Sequence, residues 1–150
     1  MFMPVSIRID GKAIVLIGVG RVALHKAVLL SRFTQVARVI APEFDPGFAA
    51  VPFERVCKSY DSSDLDGAFL VYICTGDREL NVAVKAECER CGILACVCDD
   101  PALCDFISPA IYRDGNVTVA VSSDAKDVRR SIRIRDRIKT LVEEGIIPLK

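Results

Sequence analysis

The chain lacks an excess of either charge: 20 basic residues stand against 20 acidic ones. That balance removes the electrostatic footprint that a nucleic-acid partner would need. Long hydrophobic runs are missing too. The longest, Ala13–Gly20 and Gly67–Gly76, are far too short to cross a membrane as a helix, so no membrane association is expected. The opening, MFMPVSIRID, has no cationic stretch leading into an apolar one, and no signal peptide is read there. Internal repeats beyond a strand–helix alternation and low-complexity segments are absent. There is a single histidine, His25, which suits a surface or supporting place better than catalysis.

Cysteine is plentiful by comparison, at seven. The number is odd and most of the thiols fall in apolar segments, as expected of reduced cysteines in a cytoplasmic protein. Cys88 and Cys91 would share one helix, a turn apart, and Cys96 and Cys98 one face of a buried strand. Zinc sites place such pairs on turns that converge, so no metal site is assigned. Cys104, in a loop, is the best candidate for a reactive thiol.

What is present is organised around Lys12–Ala27, KAIVLIGVGRVALHKA. Ala13–Ile17 is wholly apolar, as a strand buried on both faces must be. Gly18-Val19-Gly20 stops it, and a helical pattern begins at once. Gly18, Gly20 and Ala23 fit G-x-G-x-x-G/A. The first small residue permits the tight turn, the second lets backbone approach a pyrophosphate, and the third lets the helix pack close. The helix then aims its free N–H groups at the phosphates. A nicotinamide fold usually places an acid on the adenosine ribose about 20 residues later. Glu43, 23 residues after Gly20, is near that place and would favour NAD over NADP. The alternative is a solvent-facing loop glutamate turned away by Pro42.

The remaining pattern predicts an α/β fold with a Rossmann-type, mostly parallel sheet and helices on both faces. Val5–Ile9 alternates and reads as an edge strand. A helix over 21–33, strands at 35–41, 53–58, 69–74 and 93–98, and a helix over 78–91 ended by Gly92 follow. Thr75-Gly76-Asp77 closes one strand beside the cofactor crevice. Phe106–Arg113 and Asn116–Ser122 flank Asp114-Gly115 as a hairpin, and Lys126–Glu144 forms a charged helix. Residues 1–112 are assigned to the nucleotide-binding domain and 113–150 to the hairpin and basic helix. That helix carries seven basic residues against two acidic ones between Lys126 and Lys139. It reads either as a solvated face backed by a dimer contact or as an attractor for a polycarboxylate.

Several segments resemble one family together: GVGRVALHK, DLDGAFLV, the T-x-D-x-x-LN run Thr75–Asn81, and above all CDDPALCDFISPAIYRDGNVTVAVSS. They resemble the precorrin-2 dehydrogenase family, the amino-terminal module of sirohaem synthase and its stand-alone relatives, over roughly residues 4–124. The resemblance implies NAD-dependent oxidation of precorrin-2, a tetrapyrrole polycarboxylate, to sirohydrochlorin in a homodimer. Some members also act as ferrochelatases. Carried over residue by residue, cofactor contacts fall at Gly18, Gly20, Arg21, Val22, Pro42 and Glu43, with Thr75 beside them. The aspartate used in chemistry falls on Asp99, and a serine phosphorylated in some relatives falls on Ser123. Asp99 could instead be a turn residue before Pro101, although Asp100 suits that cap better.

The chain departs from the family at Val19, where a glycine is usual, and at His25, where arginine is common. After Ser122-Ser123 a glycine pair gives way to Asp124-Ala125. The chain also ends at Lys150, before the helical segment that many relatives carry. Val19 is the tolerant middle position and leaves cofactor binding expected, whereas the early end and the altered Ser123–Val128 loop favour the rival reading of a regulatory NAD(H)-binding module, and the Asp99–Ala110 match favours the enzyme.

Overall fold

A computed structural model describes residues 1–148 of the protein. It contains two compact units, residues 7–106 and residues 1–6 together with the chain from Ile107 onward.

The first unit is a five-stranded sheet. The strands are β1 (Ala13–Ile17), β2 (Ala37–Ala41), β3 (Glu54–Cys57), β4 (Ala68–Ile73) and β5 (Leu94–Val97). Their order is β3-β2-β1-β4-β5 and every pairing is parallel. Burial on both faces explains the unbroken apolar run of β1. Ile14 and Leu16 pack with Ala23, Ala27 and Leu30 of helix α1 (Arg21–Leu30). Val15 and Ile17 pack on the opposite face with Val84 and Cys88 of helix α2 (Arg78–Arg90). β1 is central, with β2 on one side and β4 on the other. The chain's connections therefore diverge at its carboxyl end, where open parallel sheets leave a crevice for ligands.

Local signals set most boundaries. Asp77 caps α2 by accepting hydrogen bonds from the Glu79 and Leu80 amides at 2.9 and 3.1 Å. Gly92, at φ +67°, ends it, with Ile93 N–H donating to Cys88 O and Gly92 N–H to Glu89 O. Those two bonds form a Schellman motif. α1 stops at Leu30 rather than Phe33, where Ser31 Oγ donates back to Val28 O at 2.8 Å and the chain turns. Val5–Ile9 is not a strand. Alternation needs a partner ladder, and these residues find none among the described residues; Val5 is 62% exposed.

The second unit pairs antiparallel strands β6 (Ala110–Asp114) and β7 (Val117–Val121) and adds helix α3 (Val128–Glu143). Gly115, at φ +57°, opens the two-residue turn, the place that type II′ hairpins give to glycine. β6 starts later than expected. Phe106 instead packs edge-on against Tyr72 of the first unit's sheet, with centroids 5.2 Å apart. Asp127 caps α3, accepting from Arg130 N–H at 2.8 Å. Ser131 is the one buried residue among the described residues of this unit.

Candidate functional site

Gly18 sits where β1 ends, at φ +113°. A Cβ there would lie 2.5 Å from Cys74 O and 2.7 Å from its carbonyl carbon. The crowding follows from the sheet. Cys74 N–H donates to Ile17 O at 2.8 Å, and Gly18 N–H donates to Ile40 O at 2.9 Å, so the turn is held on both sides. Gly20 differs. It is exposed, its φ is −67°, and a Cβ would meet nothing within 4 Å. It is the N-cap of α1 without a side-chain cap, and no acid stands in the helix's first turn. The amides and positive dipole end of α1 are thus left to an anion, with Arg21 and Val22 exposed beside them. Ala23 is fully buried, where a larger residue would lift α1 off the sheet.

The other predicted residues lie at carboxyl ends of neighbouring strands. Pro42 and Glu43 follow β2, both exposed, and among the described residues no side-chain partner holds Glu43. Thr75 follows β4, but its hydroxyl is committed inward. It donates to Asn81 Oδ1 at 2.5 Å and accepts from Asp77 N–H at 3.2 Å, while Asn81 Nδ2 donates to Thr75 O at 3.2 Å. What Thr75 presents to the glycine turn is backbone; its N lies 3.0 Å from the Gly18 Cβ position.

The turn after β5 carries the two aspartates. Asp100 is the cap of a short 3-10 helix, accepting from Ala102 N–H at 3.2 Å, and stands 3.7 Å from the exposed Arg78 guanidinium. Asp99 is exposed and has no hydrogen bond or ion pair among the described residues. Both line a cleft of about 120 Å³ with Gly76, Arg78 and Asn81. A carboxylate that stabilises nothing locally, facing a cleft at strand ends, is available to a ligand.

Two polar residues of this region are buried on α2: Asn81, which enters the sequence reading only as the end of the T-x-D-x-x-LN run, and Lys85, which does not enter it. Their spacing of four, on the same face as Val84 and Cys88, is the signal that could have found them.

Five of the thiols are buried or half-buried, and Cys57 and Cys91 are exposed. All seven are free. Cys74 and Cys98 face each other at 2.6 Å, and Cys104 Sγ donates to Val97 O at 3.1 Å. The Cys74 contact and burial push the Cys98 thiol up to about 12. Hydrogen bonding with Cys96 and burial hold Cys104 well above the ordinary thiol range. The thiolate is the nucleophile, so Cys104 is not the reactive cysteine expected from its place in a loop. Iodoacetamide at neutral pH is expected to label the exposed Cys57 and Cys91 first, with peptide mass spectrometry as the readout.

In the second unit, Ser123 Oγ accepts from Asp127 N–H at 3.0 Å beside a cavity of about 420 Å³ lined in part by Lys126, Arg130 and Ile134. Asp124 and Ala125 both take left-handed backbone, at φ +58° and +61°. Asp124 draws a return from this: its carboxylate accepts Phe2 N–H at 2.6 Å and pairs with Lys126 at 3.1 Å, which holds it below the usual carboxylate range. No such contact compensates Ala125. Ala125→Gly is expected to raise the unfolding free energy by about 1 kcal/mol in urea titrations.

An all-parallel 3-2-1-4-5 sheet with an open glycine turn beneath an uncapped helix defines a Rossmann-type nucleotide-binding domain. Residues 5–110 match the family described as "Putative NAD(P)-binding", and the chain belongs to that family. It is 41% identical over 138 residues to a siroheme synthase of Ectopseudomonas mendocina, covering 89% of this chain and 30% of that protein. It is 34% identical over 149 residues to a siroheme synthase of Photorhabdus laumondii, covering 97% and 32%. The chain thus spans under a third of these curated relatives. Its fold matches that of a solved structure, SirC, precorrin-2 dehydrogenase, with a TM-score of 0.80 and 19% identity over 93% of this chain and 70% of that one.

Proposed function

We propose that the chain oxidises precorrin-2 to sirohydrochlorin with NAD⁺. The observation that carries this reading is the open Gly20 corner below the uncapped α1, in a chain similar over most of its length to siroheme synthases. The residues present fit the cofactor. Gly18 and Gly20 keep the turn bare, and Arg21 and Val22 flank the pyrophosphate place. Pro42 and Glu43 stand at the adenosine end, where a carboxylate accepts the ribose hydroxyls and repels a 2′-phosphate. Thr75 borders the turn through its backbone. Bound NAD⁺ supplies the hydride acceptor.

The chain's own residues orient the ring and move the proton. Oxidation of the reduced macrocycle removes a hydride and a proton. In this reading Asp99 takes the proton or stabilises the positive charge left by hydride loss, which its exposure and lack of a local partner support. In this reading the carboxylates of precorrin-2 find a cation at Arg78, which lines the same cleft as Asp99.

The protein works as a homodimer in this reading. The unit containing β6, β7 and α3 buries little of its own, and Val128, Ile132 and Ile134 of α3 are exposed, which suits cover by a second copy. No helix among the described residues is long and apolar enough to cross a membrane. With seven free thiols, a reducing cytoplasm is the proposed location.

The test is purified protein, precorrin-2 and NAD⁺, followed by the absorbance of sirohydrochlorin. Product that depends on NAD⁺ is expected, and Fe²⁺ added afterwards reads whether sirohaem follows. Bound NAD⁺ without product would favour the cofactor-sensing module instead.

A further inference from the structure

Lys85 is a lysine almost without water, 5% exposed on the face of α2 that also carries Val84 and Cys88. An ammonium is costly to bury unless it is paired. Its Nζ donates to both oxygens of Asp105 at 2.9 and 3.0 Å and to Glu89 at 2.7 Å. Asp105 in turn lies against the edge strand β5. Its Oδ2 accepts Ala95 N–H at 2.9 Å, and its own N–H donates to Ala95 O at 2.9 Å.

Asp105 ends the loop that leaves β5. The other end is fastened as well: Cys98 N–H donates to Ile73 O at 2.9 Å, and Asp100 N–H donates to Val97 O at 3.1 Å. The loop leaves a strand and returns to that same strand. Asp99 lies within the near fastening, between Cys98 and Asp100, six residues before Asp105, and has no side-chain partner among the described residues. The loop's backbone therefore sets where its carboxylate stands, and Asp105 on Lys85 sets the far end of that backbone.

We propose that Lys85 is a positioning residue, which fixes Asp99 in the cleft by anchoring Asp105. The proposal rests on the reading of Asp99 as the proton-handling group. Displacement of such a group by about 1 Å costs on the order of 100-fold in rate, so an anchor remote from the chemistry has kinetic weight. Glu89, on the exposed side of the pair, contributes little to a surface ion pair and serves as the control.

The experiment compares Lys85→Met, Asp105→Asn, Lys85→Arg and Glu89→Gln in the full chain. Two readouts are taken: hydrogen exchange of residues 98–105, and kcat with the NAD⁺ dissociation constant. In Lys85→Met and Asp105→Asn, amides of the loop are expected to exchange roughly tenfold faster while those of β1 and β4 stay unchanged. Their kcat is expected to fall about 30-fold with NAD⁺ affinity within about twofold, toward the limit set by full misplacement. Lys85→Arg should recover most of the rate, Glu89→Gln should match wild type, and the double variant Lys85→Met, Asp105→Asn should be no worse than either single one. Wild-type exchange in a folded Lys85→Met would overturn the proposal, as would a fall in kcat matched by an equal loss of NAD⁺ binding. If Lys85→Met does not fold, Asp105→Asn decides, because that carboxylate is 31% exposed. Absence of turnover in wild type would defeat the functional reading instead, and loop exchange alone would then settle the anchor.

Discussion

Gly18→Ala is expected to unfold the nucleotide-binding unit, while Gly20→Ala folds normally and binds the cofactor at least about tenfold more weakly. The two glycines stand two residues apart and look alike in the sequence. At Gly18 a methyl group would meet the Cys74 carbonyl at 2.5 Å, and Cys74 directly follows β4, the strand next to β1. Backbone on both sides is held by sheet hydrogen bonds, so neither can yield without parting β1 from β4. A side chain at φ +113° adds backbone strain. Strain of about 1–3 kcal/mol, with the clash added, takes a large share of a domain's marginal stability of about 5–15 kcal/mol. At Gly20 the φ of −67° is ordinary for alanine and the space is empty. Its stability should change by no more than about 0.5 kcal/mol. The methyl group would stand where a pyrophosphate must approach, and NAD⁺ affinity should fall tenfold or more, about 1.4 kcal/mol. Thermal melts and calorimetric titration read both effects. A Gly18→Ala protein with the wild-type melt would refute the close-approach account.

Asp99→Ala is expected to depress kcat by about 10²–10⁴-fold and leave NAD⁺ affinity nearly unchanged. The residue forms no bond within the described chain, so its removal costs the fold little. Asp100→Ala should behave in the opposite way. It removes the acceptor for Ala102 N–H and should lower stability by about 1 kcal/mol, with rate changes that follow the loop. Steady-state kinetics with urea unfolding of each variant separates the pair. Equal loss of turnover and cofactor binding in Asp99→Ala would make it a structural residue.

The legible parts of this fold were those encoded within a few neighbours. The apolar β1, the glycine turn and the helix-ending Gly92 each specify their own backbone. Asp100 as a cap follows from Pro101 at the next position, a favoured start for a helix. The misreadings share a non-local cause. Val5–Ile9 has the alternation of a strand, but strand formation depends on a partner that the segment does not supply. Cys104 lies in a loop, yet the loop folds back so that its thiol meets Val97 and Cys96. Lys85 reads as an ordinary polar helix residue until Asp105, twenty residues on, arrives beneath it. Left-handed backbone at Asp124 and Ala125 is equally hidden, because neither residue type demands it.

A calorimetric titration of the intact protein with NAD⁺ and NADP⁺ tests the bare glycine corner most directly. Saturable heat with NAD⁺ at one site per chain is expected, with affinity lower by at least about tenfold for NADP⁺, through the carboxylate of Glu43, and by at least about tenfold in Gly20→Ala. No heat with either nucleotide, or equal binding by the Gly20→Ala protein, would contradict the assignment.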